Sequence, residues 1–150
     1  IIILALLLFL PLKFDYQLLT SPPPDTLPKA ERFGYFEAWT AGYGLKDIAA
    51  HLKDRKKEGK VFVGTEGFFG TLPDGLWIYL DKDDITILGS HATISGQIRD
   101  LAKENMAFFV GNKKNLGTIG GVSVIMEYPK ASSKETGLQD ATVLYKVLPQ

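Results

Sequence analysis

The chain has no cysteine, so no disulfide framework holds it and no thiolate is present to act as nucleophile or metal ligand. Net charge is also missing: 17 Lys+Arg balance 17 Asp+Glu, which leaves no electrostatic footprint for a nucleic-acid partner. Only two histidines occur, His51 within a charged stretch and His91 well beyond it, and their separation gives no metal-ligand spacing. No internal repeat is visible, and low complexity is confined to one proline cluster. With 45% hydrophobic residues in 150 and no net charge, the composition is that of a globular chain of single-domain length rather than a disordered one.

Mean hydropathy is nonetheless slightly positive, at +0.03. The excess sits at the start, IIILALLLFLPL, where no charge appears before Lys13. Twelve helical residues rise about 18 Å, against roughly 30 Å for the hydrocarbon core of a bilayer, so this run alone is too short to span. It lacks the basic flank and small-residue cleavage site of a signal peptide. The expectation is the truncated end of a transmembrane helix over residues 1–14; the alternatives are a buried apolar helix or strand of a soluble domain, or a truncated signal or anchor. Four of the eight prolines fall in Ser21 to Pro28, and prolines fix φ and remove backbone donors. Residues 15–30 are therefore expected to form a stiff linker, leaving 31–150 as the folded domain.

Within that domain Leu45, Ile48, Ala49 and Leu52 recur at helical spacing, with lysines and acids on the other face and Gly59 as a stop. Lys60 to Thr65 reads as a buried strand. A short helix over Leu76 to Leu80, begun by Pro73 and Asp74, precedes a strand at Ile85 to Leu88. A helix capped by Ser95, with Ile98, Leu101 and Ala102 inward, then leads to a third strand, Met106 to Val110. Two extended runs, Val122 to Tyr128 and Thr142 to Leu148, close the chain. The alternation predicts an α/β fold: a small three-layer mixed sheet, mostly parallel, with a C-terminal antiparallel hairpin at its edge.

Chemistry concentrates in V-G-T-E-G-F-F-G-T-L-P-D-G, Val63 to Gly75, a glycine-rich loop after a strand, where open α/β sheets bind ligands. No Lys-Ser/Thr follows its last glycine and its spacing is not the dinucleotide fingerprint, so no cofactor is expected. Thr65, Glu66, Gly67, Gly70 and Asp74 are candidate contacts to a phosphate or sugar, with Glu66 or Asp74 accepting hydroxyl protons. The competing reading is a tight turn that delivers Phe68 and Phe69 to surface or core. Trp39 and Tyr43, in W-T-A-G-Y-G, either stack a sugar ring or lie in a headgroup layer, or else cover one end of the core. Ser90 beside His91 is no triad by adjacency alone, and Asp81, Asp83 and Asp84 read as a solvated turn.

Taken together, the apolar helix, the proline-containing exit, Trp39 to Leu52, Val61 to Leu76, and the closing E-Y-P-K (Glu127 to Lys130) and L-Y-K-V (Leu144 to Val147) resemble the C-terminal end of bacterial membrane glycosyltransferases of family 39. These are the multi-spanning relatives of protein O-mannosyltransferases and aminoarabinose transferases. The resemblance covers most of the chain. It implies a parent enzyme that transfers a sugar from a polyprenyl-phosphate donor outside the cytoplasm, with acidic catalytic residues in an early loop that has no counterpart here. By that resemblance no catalytic residue is carried over. The chain is then a non-catalytic extracytoplasmic domain at the cell membrane, with the bilayer, the rest of the enzyme and a glycan or lipid-linked sugar as partners. The rival expectations are a membrane-anchored sugar- or anion-binding module using Gly64 to Gly75, and a soluble enzyme with Glu66 or Asp74 as base.

Overall fold

In the computed structural model, residues 2–20, 27–80 and 84–149 are described, with side chains from residue 7 onward. The N-terminal helix α1, Ile2–Thr20, runs past the expected end at residue 14. Nothing in KFDYQLLT breaks a helix, and the Thr20 hydroxyl donates back to the Tyr16 carbonyl at 2.8 Å. Its 19 residues include Pro11. Among the described residues, no helix is long and apolar enough to cross a membrane. Most of the proline cluster, 21–26, lies outside the described residues. At the expected end of the linker the chain forms a helical turn, α2 (Lys29–Arg32), followed by a π-helical turn, Phe33–Glu37.

The α/β fold is present. After α2 the elements are α3 (Leu45–Lys56), β1 (Val61–Glu66), α4 (Thr71–Leu80), β2 (Thr86–Ser90), α5 (Gly96–Leu101), β3 (Met106–Asn112), α6 (Lys113–Leu116), β4 (Val122–Pro129) and β5 (Ala141–Val147). Five strands make one mixed sheet in the order β2-β1-β3-β5-β4. Parallel pairing joins β1 to β2 and to β3, whereas β5 runs antiparallel to both β3 and β4. Parallel and antiparallel ladders are thus equal in number, because β5 lies between β3 and β4 and runs antiparallel to both.

Alternation along the strands sorts the core into two layers. Val61 and Val63 of β1, Phe108 and Val110 of β3 and Leu144 of β5 meet Leu45, Ile48 and Leu52 of α3 and Leu72, Leu76 and Leu80 of α4. On the opposite face Ala107, Phe109, Val143, Tyr145 and Val147 meet Ile94 and Ile98 of the α5 region and Leu116 of α6. The Ser95 cap forms as its sequence predicts, its hydroxyl oxygen accepting from the Ile98 amide at 3.4 Å. Since α4 crosses on one face between β1 and β2 and α5 on the other between β2 and β3, the chain reverses winding between β1 and β3. That reversal opens a crevice at the carboxyl ends of the parallel strands.

Candidate functional site

Glu66 ends β1, Ser90 ends β2 and Asn112 ends β3, so the crevice is floored by polar residues. A cleft of about 380 Å³ opens there, walled by Trp39, Phe68, Phe69 and Leu72, with Glu66, Ser90, His91, Asn112 and Asn115 supplying polar atoms. The Glu66 carboxylate pins the floor together. Its Oε2 accepts from the Asn112 amide at 2.7 Å and from Asn112 Nδ2 at 3.0 Å, and its Oε1 accepts from Asn115 Nδ2 on α6. A carboxylate offers about four lone-pair sites, so three are filled by the protein itself.

Beneath this floor Lys130 is fully buried. An ammonium has three donors, and Lys130 Nζ has three oxygens around it: Asn112 Oδ1, the Ala38 carbonyl at 3.0 Å, and Asp140 Oδ2 at 3.5 Å. Burial pushes the Lys130 ammonium below its ordinary range, while Asp140 and Glu66 pull the other way. Because Asn112 gives its oxygen to Lys130, its nitrogen is left facing Glu66. One buried cation therefore ties the end of β3, the backbone beside Trp39 and the loop after β4 into one polar network. Asp140 completes it by accepting from the Lys114 amide at 2.9 Å.

The glycine loop is shaped to reach back over β2. Gly67 has φ +86° and donates its amide to the Ser90 carbonyl at 2.7 Å. Gly89 lies directly below: a Cβ there would come within 2.7 Å of Phe68 Cα and 2.8 Å of the Gly67 carbonyl oxygen. This close passage sets Phe68 against His91, rings edge to face with centroids 5.1 Å apart.

Of the residues singled out from sequence, Trp39, Glu66 and Gly67 line the cleft. Thr65 does not: it shares the inward face of β1 with Val61 and Val63, is fully buried, and its hydroxyl donates to the Gly67 carbonyl. Asp74 is turned to its own helix, Oδ2 accepting from the Gly70 amide at 2.8 Å at the positive end of α4, and this ties up Gly70 as well. Tyr43 stands apart from the cleft; partial burial raises its phenol above its ordinary pKa against an opposing Arg32. Phe68 and Phe69 go to the surface, 62% and 80% exposed, so the loop is the tight turn that delivers them there, and both stand on the cleft wall.

Ser90, His91, Asn112 and Asn115 are the site residues that sequence reasoning missed. The available signal was positional: G-S-H and G-N-K-K-N each follow a strand of the parallel set. Ser90 is no nucleophile poised on His91, since its hydroxyl is held among backbone carbonyls, the nearest being Thr93 at 2.9 Å. Asp84 stands exposed and pairs with Lys56 at 3.1 Å, while Asp81 and Asp83 lie outside the described residues. Among the described residues no cluster of His, Cys, Asp and Glu could hold a metal ion. What the cleft can do is bind: aromatic walls accept an apolar ring face, and the carboxylate, amides and imidazole exchange hydrogen bonds with a hydroxylated rim. No family model, curated protein or solved structure matches the chain.

Proposed function

We propose that this chain is the extracytoplasmic α/β domain of a membrane glycosyltransferase that uses a polyprenyl-phosphate sugar, and that it recognises sugar without catalysing transfer. The carrying observation is the cleft at the β1–β3 reversal, where Trp39, Phe68 and Phe69 surround the Glu66–Asn112–Asn115 floor. A sugar ring has an apolar C–H face and a rim of hydroxyls, and this lining offers a partner for each. An anion suits it less, because the wall contains Glu66 and no lysine or arginine. Between the two ligand classes raised by the glycine loop, the geometry thus favours the neutral polyol.

Support for the membrane setting comes from α1, whose Leu7, Leu10, Leu12 and Leu19 are each more than 60% exposed and need an apolar surrounding. The segment resemblance supplies the parent enzyme. The test is a titration of the ¹⁵N-labelled chain in detergent micelles with monosaccharides and, separately, inorganic phosphate. Saturable shifts at Asn112, Asn115 and the Trp39 indole with sugars are expected, together with no transfer from a polyprenyl-phosphate sugar. Shifts with phosphate alone, or turnover by this chain, would overturn the reading.

A further inference from the structure

Trp39 has a cleft on each side. Beyond the one described, a second cleft of about 230 Å³ is lined by Ser133, Thr136, Gln139, Asp140 and Lys114, and both Trp39 and Asn115 belong to its wall as well as to the first. The indole is 54% exposed, so it forms a partition rather than a plug. Asn115 spends Nδ2 on Glu66, and its Oδ1 has no hydrogen-bond partner among the described residues.

The second cleft offers the neutral hydrogen-bonding groups of Asn115, Ser133, Thr136 and Gln139 beside Lys114 and three acids. The Ser133 hydroxyl oxygen accepts from the Glu135 and Thr136 amides, and the Thr136 hydroxyl oxygen from the Leu138 amide, which leaves each hydroxyl proton to donate outward. Gln139 uses Nε2 on the Lys130 carbonyl at 2.7 Å and keeps Oε1. Its acids are already engaged: Asp140 with the Lys114 amide and Lys130, Glu37 with Arg32 at 2.6 Å, Glu135 with Lys29. The spacing of the two clefts is fixed from below, because the Lys130 ammonium holds Ala38, next to Trp39, together with Asn112 of the first cleft and Asp140 of the second.

We infer that the two clefts are adjoining subsites of one groove, which takes a neutral glycan of at least two sugar units placed on either side of Trp39, with Asn115 Oδ1 within reach of both. This rests on the sugar reading of the first cleft. The test uses the full ¹⁵N-labelled chain in micelles, titrated with glucose, mannose and N-acetylglucosamine and with their di- and trisaccharides. A disaccharide is expected to shift Asn112 and Ser90 together with Thr136 and Gln139, and to bind at least tenfold more tightly than its monosaccharide. Trp39→Ala removes both sets of shifts. A paired Thr136→Val, Gln139→Ala variant returns disaccharide affinity to the monosaccharide level while leaving monosaccharide binding unchanged, which also shows that the fold is intact. Mono- and disaccharides that bind equally and shift only the first cleft overturn the two-subsite inference and leave the sugar reading standing. Sugars that shift nothing overturn both.

Discussion

At the residue scale, Lys130 carries the most constraint for its size. It is the one fully buried cation among the described residues, and its three oxygen partners come from segments that no local pattern links; the Ala38 carbonyl is 92 positions away. Removing one member of a buried ion pair leaves the other charge uncompensated, at a cost of about 3–5 kcal/mol. Lys130→Met is therefore expected to lower the unfolding free energy in urea by about that amount, and to displace the Trp39 indole resonance in whatever fraction stays folded. Asp74 gives the opposite expectation. It supports the first turn of α4 and touches no cleft wall, so Asp74→Ala should cost about 0.5–1 kcal/mol in stability and leave sugar affinity unchanged. Loss of sugar binding in that variant would return Asp74 to the site.

At the element scale, the position of the cleft follows from how the loop after β1 lies on β2. Gly89→Ala places a methyl group against backbone atoms of Phe68 and Gly67, neither of which can rotate away, so the loop itself must lift. Loss of the nuclear Overhauser contact between the Phe68 and His91 rings, with the α3 and β3 core signals unmoved, is the expected outcome. A second element-scale effect concerns pH. His51 on α3 packs edge to face on Phe108, ring centroids 6.0 Å apart, and burial, helped by Arg55, lowers its pKa from the ordinary 6.5 despite Asp54 and Glu58. The unfolded chain then binds the proton more readily than the folded one, so this contribution is complete above pH 6.5 and is lost as pH falls below it. Urea midpoints should drop as pH falls below 6.5, and a His51→Gln variant should flatten that slope. An unchanged slope would assign the loss to other groups.

The elements themselves were largely legible. The leucine, isoleucine and alanine spacing of α3, the apolar runs of β1 and β3, and the Ser95 cap are local signals, and each element forms where its residues point. Strand order was not legible, because hydrophobic period says which face a strand buries and not which strand lies beside it. The apolar runs therefore did not say which strand of the C-terminal pair lies outermost; it is β4, with β5 between it and β3. The site divides in the same way. Glu66 and Trp39 could be picked out from their glycine-rich neighbourhoods. Asn112 and Asn115, 46 and 49 residues from Glu66, become site residues only once β3 pairs with β1.

At the scale of the whole molecule, two surfaces of different chemistry must be reconciled. The sheet domain covers its core on both faces with helices, while α1 leaves Leu7, Leu8, Phe9, Leu10, Leu12 and Leu19 open. Fully burying one such side chain is worth about 1.5–3 kcal/mol, so water is a poor surrounding for a helix that shows several. A lipid phase offers that burial without requiring α1 to span. Replacing Leu8 and Leu12 by lysine should then reduce co-sedimentation of the chain with phosphatidylcholine vesicles by at least about tenfold, since more than 1.4 kcal/mol of burial is lost at each position. The cleft lies in the other part of the molecule and depends on Glu66, Asn112 and Lys130, so the same double variant in micelles should keep its sugar-induced shifts. Vesicle binding that survives both substitutions would move the membrane contact to α4, where Trp77, Ile78 and Tyr79 are exposed side by side. In that case the outer face of α4, rather than α1, would set how the proposed sugar cleft is presented to the bilayer.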